Sequence, residues 1–250
     1  MRRGAGMGMG HVLQLLGPLR LRSDGRTVPL PGSSSHLLAA LALVGPMSRV
    51  QAAALLWPDA STGRGLSNLR TCISRLQRAS PGVLDTDGTV LSLAEDVQVD
   101  TDRAMEWIVA TIYDDTAPVD RGGPPPDVAR ELLAGWSDEW VREHRDRWQL
   151  LAGQALESAA SRLLAMGRAA AALPYGLAAV AVGPWSESAN RVLIEIHARR
   201  GDPAGALRQF ERLSRVLRSE LGVQPAPDIV ALIRQLYPFG TGRAGGQRTA

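Results

Sequence analysis

Shifted against itself by 34 residues, the second half of the chain meets itself: Gly167 falls on Gly201, Ala170 on Ala204, Ala172 on Ala206, Leu173 on Leu207 and Val182 on Val216. A period of about 34 residues is the length of a helix pair, a unit that buries its apolar face only by stacking on the next pair. Small residues let the helices approach, and a glycine turns the chain between them. An ordinary helical bundle is the alternative, but it gives no reason for turn glycines to match. Helical patterns are expected over residues 137–166, 168–182, 186–200, 203–221 and 226–236. Another begins at Val99 and ends at Asp114-Asp115, and residues 121–126 read as a Gly/Pro-rich loop.

The first 95 residues follow a different rhythm. From Val12 onward Leu13, Leu15, Leu19 and Leu21 share one side of an extended segment, with Gln14, Arg20 and Arg22 on the other. Asp24-Gly25 supplies a hairpin turn and residues 27–30 a returning strand. Residues 33–35, all serine, offer an N-cap for an apolar helix over 37–44 that Gly45-Pro46 ends. Ser48 with Gln51 makes a capping box for a short helix through Ala52, Leu55 and Leu56, which Trp57-Pro58-Asp59 breaks. A third helix opens at Ser61 or Thr62 and runs to about Ala79. Residues 83–86, Asp87-Gly88 and residues 89–93 form a second hairpin. Strands, three helices and a terminal hairpin in this order describe a winged helix-turn-helix, whose third helix enters the DNA major groove.

That third helix is strongly two-faced. Leu66, Leu69, Ile73 and Leu76 form one stripe with Cys72 at its edge, while Arg64, Asn68, Thr71, Arg75 and Arg78 cluster opposite. No acidic residue occurs between Ser61 and Ser80. A merely solvated helix face mixes signs to form (i, i+4) pairs. Arginine and asparagine make bidentate contacts to guanine and adenine edges, and threonine meets phosphate or a thymine methyl. Charge is partitioned the same way: residues 1–95 hold 10 arginines and 5 acids, residues 96–250 hold 18 arginines and 20 acids. A basic first third on an acidic remainder points to a polyanion-binding domain joined to a partner-binding one.

Composition excludes several chemistries. Every one of the 28 basic residues is arginine. A phosphate-loop lysine, a Schiff base and a Ser-Lys pair are therefore absent. A single cysteine, Cys72, excludes an internal disulfide and a thiolate zinc cluster, and reads as a small core residue. His11, His36, His144 and His197 lie in four separate segments without metal-ligand spacing. Asp114-Asp115 are adjacent rather than facing each other, and so end a helix rather than share acid–base work. Trp136 and Trp140, four apart on an expected helix, read as core. No enzyme activity, cofactor or metal is expected. The longest uncharged stretch, residues 169–190, is Ala-rich and carries Pro174 and Pro184, a buried helix with its turn rather than a membrane span. The chain is expected in the cytoplasm.

These segments together resemble the SARP-type transcriptional activators, the antibiotic regulatory proteins of actinomycetes. The resemblance spans about residues 11–237 and rests on order and spacing. It runs from Leu15-Leu16-Gly17-Pro18-Leu19 and Leu55-Leu56-Trp57-Pro58 through Leu69-Arg70, Ile73-Ser74-Arg75-Leu76 and Val99-Asp100. It continues with Gly135-Trp136, Glu187-Ser188-Ala189, Ala206-Leu207-Arg208-Gln209-Phe210 and Glu220-Leu221-Gly222-Val223-Gln224-Pro225. It implies a mainly α protein with a small α+β part: an OmpR-like winged helix over 11–95, then an all-α tetratricopeptide-like bacterial transcriptional activator domain over 96–237. Residues 1–10 and 238–250 are then disordered ends. It further implies an activator of a secondary-metabolite gene cluster that binds promoter direct repeats in double-stranded DNA, as a homodimer or side-by-side protomers. Such activators recruit RNA polymerase through its sigma factor and alpha subunit. By position Asn68, Thr71, Arg75 and Arg78 would read or anchor DNA, Arg64 would touch phosphate near the helix start, and Arg70 would reach the flanking backbone. The sequence departs from the family at the wing, where Asp85 and Asp87 stand and no arginine does, in place of the usual Gly-Tyr pair. The helix after Ser33 also lacks the usual basic start. These departures keep open a second reading, a regulator that binds a protein through its repeats and whose winged helix no longer reads DNA.

Overall fold

The computed structural model describes residues 10–114, 119 and 122–238. The expected disorder of residues 1–9 and 239–250 lies outside that range, as do Asp115 and Arg121. Two compact units form: residues up to Met105 together with Glu131–Arg145, and Glu106–Arg130 together with the chain from Asp146 on.

In the first unit, strands β1 (His11–Gln14), β2 (Arg20–Ser23) and β3 (Arg26–Val28) form an antiparallel meander. The extended segment expected from Val12 to Leu21 is therefore broken in two, with Leu13 facing Leu21 and Gln14 facing Arg20. The reason is local. Gly17 takes a φ of +94°, a conformation open to glycine, and Pro18 has no N–H for a ladder. A further strand that the sequence pattern did not reveal, β7 (Val97–Val99), pairs parallel with β1 and completes the order β3-β2-β1-β7.

Helices α1 (Gly32–Leu43), α2 (Arg49–Leu56) and α3 (Thr62–Ala79) follow, with a second sheet β4-β6-β5 made of Met47–Ser48, Val90–Leu93 and Leu84–Thr86. Helix α1 starts earlier than expected, on Pro31, and no serine side chain caps it. Its Leu37, Leu38, Ala39, Ala40 and Leu41 are buried, as are Leu69, Cys72, Ile73 and Leu76 of α3 and Val83, Leu84 and Leu91 at the base of the hairpin. His11 is buried between the Ser80 hydroxyl at 3.3 Å and the Pro81 carbonyl at 3.2 Å, which ties β1 to the end of α3.

The loop joining β1 and β2 is a joint rather than a simple turn. The Leu15 and Leu16 N–H groups donate to the two carboxylate oxygens of Asp100 at 2.8 and 3.0 Å. Gly17 N–H donates to the Glu131 carbonyl, while Leu133 and Ala134 N–H donate back to Leu15 and Gly17. Trp136 is not on a helix with Trp140, contrary to the spacing-based expectation. Gly135 at φ +84° and the left-handed Leu133 place it in a turn before α5 (Glu139–Ala165). There it stacks on His36, ring centroids 4.2 Å apart, and His36 in turn meets Gly32 and Asp138.

In the second unit the 34-residue repeat is legible bond by bond. Between α5 and α6 (Ala169–Val182), Gly167 N–H donates to Leu164, Arg168 N–H to Leu163 and Ala172 N–H to Arg168. Between α7 (Glu187–Arg199) and α8 (Pro203–Val216), Gly201 donates to Ala198, Asp202 to His197 and Ala206 to Asp202, each partner shifted by 34. Both glycines are left-handed, at +74° and +69°. Gly176 lets α6 approach α7, since a Cβ there would stand 2.7 Å from Ile196. The α8 helix does not continue regularly to 221 as its pattern predicts. From Leu217 to Leu221 it widens into a π turn, closed by Gly222 at φ +68° and followed by α9 (Pro227–Leu236). Helix α4 (Asp100–Tyr113) joins the two units along the chain. Among the described residues no helix is long and apolar enough to cross a membrane.

Two stability predictions follow from this geometry. Asp100→Ala strips two backbone N–H groups of their acceptor and should lower unfolding free energy by about 1–3 kcal/mol per orphaned group, read by urea denaturation. Gly167→Ala and Gly201→Ala should each cost about 1–2 kcal/mol, because an L side chain is strained at positive φ. Similar losses in melting experiments would mark the two turns as equivalent.

Candidate nucleic-acid interface

The α2–turn–α3 unit is held at both ends. Ser48 caps α2, its hydroxyl accepting the Gln51 N–H at 3.2 Å while the Gln51 side chain accepts the Ser48 N–H at 2.9 Å, the reciprocal box expected from sequence. Ala60 N–H closes the turn onto Trp57. Gly65 lets α3 cross α2 closely: a Cβ there would lie 3.4 Å from Ala53 Cβ. The buried stripe of α3 then faces α1 and α2, and its polar face is left to solvent.

Of the six residues singled out from sequence, Arg64, Arg70, Thr71, Arg75 and Arg78 are exposed and Asn68 is half-buried. Arg64, Thr71, Arg75 and Arg78 share the outward face. Arg70 lies about 140° around the helix from Arg75, on the opposite flank. Asn68 stands at the margin of the buried stripe. The Thr71 hydroxyl donates to the Ser67 carbonyl at 3.2 Å, and Arg78 donates to the Ser74 hydroxyl at 3.1 Å. Among the described residues none of these four guanidiniums is ion-paired. Arginines elsewhere do find carboxylates, as in Arg130–Asp127, Arg142–Glu139 and Arg145–Glu131. The face is thus a set of unneutralised, planar donors on a rigid helix.

Sequence reasoning missed three contributors. Ser67, exposed, and Ser74, half-buried, lie between Arg78 and Arg70 around the helix. Arg49, the first residue of α2, donates through Nε to the Gly88 carbonyl at the wing tip, 3.2 Å away, and its own N–H bonds the Thr89 carbonyl. A cation beside a helix N-terminus is electrostatically unfavourable, so an arginine directly after the Ser48 cap was a readable signal. Through Arg49 a positive charge reaches a hairpin whose own sequence carries only acids.

One of those acids has a structural role. Asp87 accepts the backbone N–H of Val90 at 2.8 Å and of Thr89 at 3.0 Å, and these bonds hold its carboxyl below the usual carboxylate range. Cys72 behaves as expected of a core residue: burial pushes its thiol up, outweighing the neighbouring Ser34 and Ser33 hydroxyls and Arg75. Because the Asp87 pKa is depressed in the folded wing, the order it supplies is present at neutral pH. That order should be lost as pH falls through and below the carboxylate range. The protection of the Thr89 and Val90 amides, taken relative to their intrinsic exchange at each pH, should fall on acidification, and Asp87→Ala should lower the same protection at neutral pH.

Residues 129–237 match the bacterial transcriptional activator domain. Over 240 residues the chain is 28% identical to the regulatory protein AfsR of Streptomyces coelicolor, covering 89% of this chain and 24% of that protein. It is 27% identical over 247 residues to the transcriptional regulatory protein MoaR1 of Mycobacterium tuberculosis, covering 89% of this chain and 78% of that one. The chain therefore spans about a quarter of AfsR and most of MoaR1. Among solved structures, Mycobacterium tuberculosis EmbR in complex with a low-affinity phosphopeptide superposes with a TM-score of 0.66 at 20% identity, over 90% of this chain and 64% of that one. That likeness establishes the winged-helix and helical-repeat fold.

Proposed function

We propose that the chain is a SARP-type transcriptional regulator, a winged helix followed by a bacterial transcriptional activator domain, acting as a sequence-specific DNA-binding activator. In this reading residues 11–95 form the DNA-binding domain and 96–237 the activator domain. Helix α3 lies in the major groove and the Arg49-bearing wing tip lies along the backbone. The observation that carries the reading is the acid-free outer face of α3, with Arg64, Arg75 and Arg78 unpaired on it and Arg70 unpaired on its flank. Arg75, Arg78, Asn68 and Thr71 contact base edges or the adjoining backbone. Arg64 and Arg70 neutralise phosphates on either side. Protomers sit side by side on promoter direct repeats, at a spacing near 10–10.5 bp that returns each α3 to one face of the duplex. The activator domain contacts the sigma factor and alpha subunit of RNA polymerase, the regulated genes are those of a secondary-metabolite cluster, and the DNA-bound protein resides on the nucleoid.

A salt series of binding to the promoters of its gene neighbourhood, with competitor DNA, tests the assignment. Arg75→Ala should cost about 1–3 kcal/mol and relax sequence preference. Arg64→Ala should instead weaken all sequences alike and lower the salt slope by about one. Salt dependence and preference unchanged in both variants would transfer the winged helix to protein docking, as its acidic wing sequence would allow.

A further inference from the structure

The acidic balance of the second half conceals a basic face. Across α8 and the π turn stand Arg208, Arg212, Arg215 and Arg218, all exposed, against Glu211 and Glu220. Arg208, Arg212 and Arg215 recur at spacings of four and three and so share one helical face, where like charges repel. Arg208 lies near the capping Asp202, whose carboxyl is held low chiefly by the Gly205 N–H. Among the described residues Arg212, Arg215 and Arg218 have no ion pair. On α7, by contrast, Arg191 meets both Glu195 and Asp228.

Beside this stripe is a depression of 370 Å³ lined by Phe210, Glu211, Ser214, Arg215, Arg218 and Ser219. Phe210 packs with one side on the buried cluster of Ile194, Ala206, Leu213 and Leu217 and lines the depression with the other. The π turn adds a residue to the helical turn here, and Arg218 and Ser219 come to border the same hollow as Arg215. The Ser214 and Ser219 hydroxyls already donate to the Phe210 and Val216 carbonyls, so the guanidiniums are the donors left for an incoming anion.

We propose that this face docks an acidic protein segment carrying one large apolar side chain. The apolar group enters the hollow against Phe210, and flanking carboxylates meet Arg212, Arg215 and Arg218. Glu211, on the same rim, disfavours a carboxylate placed directly beside it. Nucleic acid is the competing polyanion. A phosphate backbone has nothing apolar to cover Phe210. The proposal stands independently of whether α3 reads DNA.

The test uses the full chain and a dye-labelled peptide with glutamates at helical i, i+3 and i+4 positions around a central leucine, followed by fluorescence anisotropy. The expected result is saturable binding that weakens about tenfold or more in Arg215→Glu/Arg218→Glu. It should also weaken when the central leucine is replaced by serine, and when Ser219→Trp fills the hollow with every arginine retained. A lysine version of the peptide should not bind. Circular dichroism melts matching the parent chain confirm that these exposed substitutions leave the fold intact. No binding of the acidic peptide up to about 1 mM, or binding indifferent to the arginine reversals, overturns the proposal. So does random-sequence duplex DNA that displaces the peptide and itself depends on Arg215 and Arg218, an outcome that would make this face a DNA contact.

Discussion

The first unit hangs on the hydrogen bonds converging on residues 15–17. A break in an edge-to-centre sheet exposes backbone N–H and C=O groups that cost free energy when buried unpaired. Here Leu15 and Leu16 are buried, and their N–H groups find the Asp100 carboxylate; Gly17 and the Leu15 carbonyl find residues 131–134. That second partner is itself shaped by Arg145, whose guanidinium donates to the Leu132, Leu133 and Trp136 carbonyls and pairs with Glu131 at 3.1 Å. Arg145 thereby satisfies the carbonyls of a turn in which Leu133 holds a left-handed backbone. Segments far apart in sequence thus complete one sheet edge, and the compact unit is discontinuous in the chain.

What this scaffold does for α3 is mostly subtraction. The close crossing at Gly65, the His11–Ser80 tie and the α1 core use Leu69, Cys72, Ile73 and Leu76, and leave Leu66 half-buried. Among the described residues no carboxylate pairs with the arginines of the opposite face, and they keep their charge available for a partner. Arg49 gains its place on the wing through tertiary contacts alone, and Asp87 turns an apparent electrostatic liability into the bond that shapes the hairpin tip.

Local chemistry made much of this legible. The Ser48–Gln51 box, the Asp87-Gly88 hairpin, the α3 stripe and the Gly167/Gly201 repeat are each set by neighbours within a few residues, or by a period that repeats them. The misses share a different cause. β7 is three residues long and exists because β1 lies parallel to it. The split of the first strand was written in Gly17-Pro18, yet the alternation of leucines across it mimicked continuity. Trp136 has helical spacing to Trp140, but Gly135 and Leu133 commit it to a turn stacked on His36.

The sequence by itself determined the two periodicities, the class of fold, and which side of α3 carries donors. Helix pitch, glycine's access to positive φ and the lack of acids in one segment are properties of the chain read locally. Tertiary structure alone decided which arginines remain unpaired, that Arg49 serves the wing, that Asp100 and residues 131–134 complete the first unit, and that α8 opens into a π turn beside Phe210. Each depends on groups distant in sequence meeting within hydrogen-bonding or van der Waals reach, and no local pattern encodes those distances.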